Sequence, residues 1–188
     1  MGSKRWLVAS AAVLSACTAG GSGHAASSAT HAASSPAPCR RSQLKVSVGV
    51  DRVANGHVGA AIIFTNTSKE SCTIGGYPAV GLLGVNLDVA VTARQTLQGP
   101  MGGLTIAGST ISTVLLSEGQ TASALLEAVE PTTEGVAPAP TVYDCPTYSG
   151  ISVTLPGVGS QKLARPFAAC EPIEIHPLLR GPIGSPIP

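Results

Sequence analysis

The chain has 188 residues, enough for one domain with tails. Eleven basic residues stand against ten acidic ones, and aromatic residues make up only 3% of the total. A nucleic-acid binder needs a basic stripe, and a base- or sugar-stacking platform needs exposed rings. The composition therefore excludes nucleic acid as the expected partner.

In chain order, Lys4 and Arg5 precede an apolar run from Trp6 to Leu14. That run is about half as long as the roughly twenty residues a bilayer-spanning helix needs, so it reads as an export signal. The next residues, Leu14-Ser15-Ala16-Cys17, are similar to the bacterial lipobox. The resemblance implies cleavage before Cys17 and a diacylglyceryl group on its thiol. Two acyl chains anchor firmly, because each buried methylene contributes about 0.8 kcal/mol. N-myristoylation is disfavoured, since Trp6 stands where that motif takes Ser or Thr. Removing residues 1–16 takes away Lys4 and Arg5, which leaves nine basic residues against ten acidic ones. The expected location is the outer face of the cell membrane, with the membrane itself a partner through the lipid.

Residues 18–38, "TAGGSGHAASSATHAASSPAP", bury too little apolar surface to offset the entropy of ordering. They read as a flexible tether with a mean reach of about 25 Å. His24 and His31 lie in it without a third ligand, so they read as solvated. From Cys39 the period becomes two. "LKVSVGVDRV" alternates Leu44, Val46, Val48 and Val50 with polar residues, the pattern of a half-buried strand. After the turn-like "ANG", "HVGAAIIFTN" is apolar enough for a central strand, and "NTSKES" is a turn. "CTIGGYPAVGLLG" is a strand bent at its glycines and Pro78. "LDVAVTARQ" alternates again, and "STVLLSEGQTASALLEAVE" reads as two strands around "SEGQ". Its second half also suits a helix by propensity, but its neighbours on both sides are strands. "ISVTLPG" and "CEPIEIHPL" are the last strands. About eight short strands with Gly/Pro-rich turns predict an all-β sandwich. Its span is residues 39–177, between the tether and a flexible tail at 178–188.

With Cys17 assigned to lipid, Cys39, Cys72, Cys145 and Cys170 remain. Four cysteines in an exported domain suggest two disulfides, with three possible connectivities. The sequential pairing, Cys39–Cys72 and Cys145–Cys170, is the expected one because it staples each end of the domain locally.

"FTNTSKESCTIGGYPAVGLL", "LLSEGQTASALLEAV", "YDCPTYSGISVTLPG" and "ACEPIEIHPL" together resemble an actinobacterial exported family, the domain of unknown function DUF 4232. Cys72-Thr73-Ile74-Gly75-Gly76-Tyr77-Pro78 is the most specific part. The chain departs most from the family at the Gly-rich apolar stretch 97–111. The resemblance implies an immunoglobulin-like sandwich in the cell envelope and supplies no catalytic residue.

The sequence offers no mechanism for an enzyme. Ser42-Gln43-Leu44-Lys45 matches the Ser-x-x-Lys of penicillin-binding enzymes, but the Ser-Asp-Asn and Lys-Thr-Gly partners are missing. Glu174 and His176, two apart on a strand, share one face opposite Ile173 and Ile175. Without a third ligand they read as a solvated outer face rather than a metal site. His57 reads as a solvent-facing turn residue, and Tyr77 as a core or turn anchor. Tyr143 and Tyr148, flanking Cys145, are the candidate partner contacts, since interfaces favour Tyr. Residues 103–111, "GLTIAGSTI", read as a buried strand, with an apolar contact surface as the alternative. The expectation is a non-enzymatic binding domain without metal or cofactor, its partner an envelope protein. The alternative is a carrier of lipid or another apolar ligand.

Overall fold

The computed structural model describes residues 35–104, 110–131 and 145–183. Cys17, His24, His31, Tyr143 and the chain beyond residue 183 lie outside the described residues. Among the described residues no helix is long and apolar enough to cross a membrane.

Among the described residues strands follow one another with short connections. A 3-10 turn, Arg41–Gln43, precedes β1 (Leu44–Val48), β2 (Arg52–Ala54) and β3 (His57–Asn66). Next come β4 (Cys72–Gly75), β5 (Ala79–Leu83), β6 (Val89–Thr92) and β7 (Arg94–Gln95). β8 (Gln98–Gly99) and β9 (Gly102–Gly103) form a small hairpin, and β10 (Thr113–Leu116) leads into β11 (Thr121–Val129). The last are β12 (Thr147–Tyr148), β13 (Gly150–Leu155), β14 (Gly159–Leu163), β15 (Phe167–Ala168), β16 (Cys170–Ile175) and β17 (Leu179–Arg180).

The predicted sandwich is observed, with "TASALLEAV" as a strand and more, shorter strands than expected. Turns break the longer runs. Gly76, at φ 79°, separates β4 from β5, and Ala93 turns into the core where the chain leaves β6 for β7 in the other layer. The "ANG" turn joins β2 to β3 with Asn55 and Gly56 both at positive φ (53° and 76°). Those are the angles of a type I′ hairpin turn, which Asn-Gly adopts with least strain.

One layer is a seven-stranded sheet in the order β1-β3-β11-β16-β7, with β2 also on β3 and β17 also on β11. The other contains the sheet β14-β13-β5-β6 and the β4–β10 pair. Alternation sends Ile62, Phe64, Leu126 and Ile175 from the first layer to meet Leu82, Leu116 and Ile151 from the second, all buried in one cluster. Each such side chain contributes about 1.5–3 kcal/mol by leaving water.

Asn66 closes one end of this core. Fully buried, its Nδ2 donates to the carbonyls of Glu70 (2.8 Å) and Leu116 (2.9 Å), while its Oδ1 accepts from Ser68 N (2.9 Å) and Oγ (2.8 Å). Its backbone N–H reaches Gln120 O, and its carbonyl accepts from Gly119 N. The "NTSKES" and "SEGQ" turns are thereby tied together through one side chain, each of its groups satisfied as burial requires.

The boundaries of the domain lie outside those expected. Thr73 binds Ala37 O and Cys39 N, so ordered pairing begins before Cys39. At the other end the expected tail is part of the fold up to Gly181. Leu178 is buried, β17 pairs with β11, and Gly181 N donates to Thr121 O.

Candidate functional site

β11 runs through the middle of the larger sheet and is buried on both faces. Ala122, Ala124, Leu126 and Ala128 face the core, so alternation turns Ser123, Leu125 and Glu127 to the outer face. Two segments cover that face. β17 pairs with β11 at Ala122 and Ser123 in the plane of the sheet. The residues after it reach the outer face, where Ser123 Oγ donates to Gly181 O at 2.6 Å and Pro182 and Ile183 line a groove with Leu125. The β8–β9 hairpin lies over Glu127.

Glu127 is only 1% exposed. Its Oε2 stands 3.0 Å from His176 Nε2 and accepts from Met101 N at 3.1 Å. Its Oε1 stands 3.1 Å from His57 Nδ1, outside hydrogen-bond alignment. The register explains the convergence. Glu127 is opposite Gly59 on β3 and Glu174 on β16, so His57, two residues before Gly59, and His176, two residues after Glu174, share its face. His176 is wholly buried, and its Nδ1 lies 3.1 Å from Thr96 Oγ1 and 3.3 Å from Thr96 O. Thr96 therefore presents that nitrogen with both a hydroxyl and a carbonyl, so the ring is satisfied with Nδ1 bare or protonated.

The hairpin approaches this closely because it is glycine. A Cβ on Gly99 would lie 2.6 Å from Glu127 Oε2, and one on Gly103 would lie 2.5 Å from Leu97 O. Gly103 also has φ 89°, a conformation that side chains resist. Of the span 103–111 read as a buried strand, Gly103 ends β9, residues 104, 110 and 111 are not in a strand, and 105–109 lie outside the described residues.

Glu127, His176 and Thr96 make a buried polar cluster with His57 at its margin, and its role in the fold is fastening. No three His, Cys, Asp or Glu among the described residues have the arrangement of a metal site. Four surface recesses of about 160–280 Å³ among the described residues are lined by residues other than His57, Thr96, Glu127 and His176. What the cluster does is pin hairpin 97–104 to the sheet through Met101 N and Thr96.

Several expectations change in consequence. Glu174 and His176 do share the outer face, but that face is not solvated. β16 is flanked by β11 and β7, Glu174 pairs with Arg94, and His176 lies under the hairpin. His57, 26% exposed, faces Glu127 rather than open solvent. Tyr148, a candidate partner contact, is 7% exposed and packs in the core. Burial, and then the negative charge of Glu171, raise its phenol above the ordinary value. Burial likewise raises Tyr77. Glu127 was not singled out from the sequence, though one acid inside the apolar run "ALLEAV" was a signal. The disulfides Cys39–Cys72 and Cys145–Cys170 form in the expected sequential pairing, each with Cα atoms 4.8 Å apart.

The family model described as "Domain of unknown function (DUF4232)" matches residues 39–173. No curated protein and no solved structure matches the chain.

Proposed function

The chain belongs to the DUF4232 family, and from that premise we propose that it is a cell-envelope lipoprotein, anchored through Cys17, that presents a non-enzymatic β-sandwich as an interaction domain outside the plasma membrane. The observation that carries this reading is the pair of disulfides, bonds that persist in oxidising compartments. The export-signal pattern and the small-residue tether behind Cys17 support it further. The partner is a protein of the envelope, met by loops at the surface of the domain. The pinned hairpin is the best-defined of these. A buried ionisable cluster is a costly way to hold a segment, and a role for the hairpin's position accounts for that cost.

Replacing Cys17 by Ala tests the anchor. The wild-type chain fractionates with membranes and Cys17→Ala is released to the soluble fraction; retention of the variant on membranes overturns the lipid assignment.

A carrier of an apolar ligand is the second reading. It is favoured by an open groove of about 220 Å³ on the outer face of the larger sheet, lined by Ala61, Ile63, Leu125, Pro182 and Ile183 among others. Native mass spectrometry of the acyl-free Cys17→Ala chain from its own host separates the two. A retained lipid mass supports the carrier, and a bare polypeptide mass supports the interaction domain.

A further inference from the structure

A strand at the end of a sheet offers unpaired backbone groups to any other strand, and folds usually block such edges. Most of the edges described here are blocked. β14 carries Lys162, and Arg41 Nη1 donates to its Ser160 carbonyl at 2.7 Å. β6 is bulged against β5 between Leu82 and Leu83. β2 bears Arg52, and β7 has only two residues, one of them Arg94 in its ion pair with Glu174.

β10 has no comparable device. It pairs with β4 in unbroken register from Thr113↔Gly75 to Leu116↔Cys72, and among the described residues no strand pairs with its other side. The run Ile111–Ser117 contains no charge, proline or glycine. Val114 and Leu116 enter the core, so alternation turns Thr113 and Leu115 outward beside Ile111. Ile111 is 41% exposed and Leu115 40%.

We propose that β10 is a self-association edge, to which a second copy of this chain adds its own β10 antiparallel, about a two-fold axis through Thr113. In that register Thr113 meets its own equivalent, and Ile111 of each copy opposes Leu115 of the other. The contact is isologous, and the two β4–β10 pairs merge into four continuous strands. The choice of a second copy rests on self-complementarity. The symmetry sets each exposed apolar side chain opposite another, with no charge facing a like charge, and each cross-strand pair of this kind is favourable. The outward N–H and C=O groups of β10 gain partners at the same time. This goes beyond the proposed function and does not depend on the lipid.

The test uses the full chain in mild detergent. Analytical ultracentrifugation over a dilution series is expected to show a monomer–dimer equilibrium. Leu115→Lys and Thr113→Lys, each placing two like charges in the contact, weaken dimerisation at least about tenfold with the circular dichroism unchanged. Thr113→Cys gives a covalent dimer on mild oxidation, whereas Gln161→Cys on the blocked β14 edge does not. A wild-type chain that stays monomeric overturns the proposal, as does a dimer that folded lysine variants leave intact. Cross-linking of Thr113→Cys to a different protein in place of a second copy also overturns it. The Thr113→Cys readout stands even if a lysine variant fails to fold. The membrane behaviour of Cys17→Ala is read separately, so the two proposals fail independently.

Discussion

Glu127 draws its partners from three separate segments: His57 on β3, His176 after β16, and Met101 in the hairpin. Such a group is expensive to bury and more expensive to orphan, because each partner left behind keeps its own desolvation penalty. Glu127→Ala strands the His176 imidazole and the Met101 N–H. The expected loss is about 3–5 kcal/mol, read as a lower urea midpoint with an unchanged slope. Glu127→Gln keeps the shape and one carbonyl acceptor, so it loses less than the alanine variant. The reverse order would mean that the cluster is not what holds this region. Asn66 shows the same economy with a neutral side chain, its donors and acceptor all engaged between two turns.

At the scale of elements, β11 is unusual in being buried on both faces, the core on one and the two covering segments on the other. The 178–183 segment is the more extensively attached of the two. Leu178 is fully buried, β17 pairs with Ala122 and Ser123, and Gly181 binds Thr121. Truncation after Pro177 removes a buried leucine, worth about 1.5–3 kcal/mol, and several hydrogen bonds worth about 1 kcal/mol each. Such a chain is expected to unfold at a clearly lower temperature in calorimetry. An unchanged transition would return this segment to the status of a tail. The hairpin depends more on its glycines than on pairing, since β8 and β9 share only two residue pairs.

For the whole molecule, the two disulfides close spans of 33 and 25 residues at the two ends of the matched region. Chain-entropy arithmetic assigns each about 3.5–4 kcal/mol. Replacing either pair by serine is expected to lower stability by up to that amount in equilibrium denaturation, and no loss in either would contradict a structural role. Much of this architecture is legible in the sequence. Period-two alternation marks β1 and β6, an apolar run marks β3, flanking strands settle β11, "ANG" marks a turn, and cysteine parity leaves four thiols for two bridges. Even the shared face of Glu174 and His176 follows from alternation alone. Whether an outward face meets water is another matter, because it depends on segments remote along the chain. Thr96 is 80 residues from His176, and Met101 is 26 from Glu127. Local patterning sets which way a side chain points; only the tertiary path of the hairpin and the 178–183 segment decides what lies above it. That is why the sequence by itself determined the all-β character of this protein and the four cysteines of its bridges, while the tertiary structure decided that the cluster around Glu127 is buried.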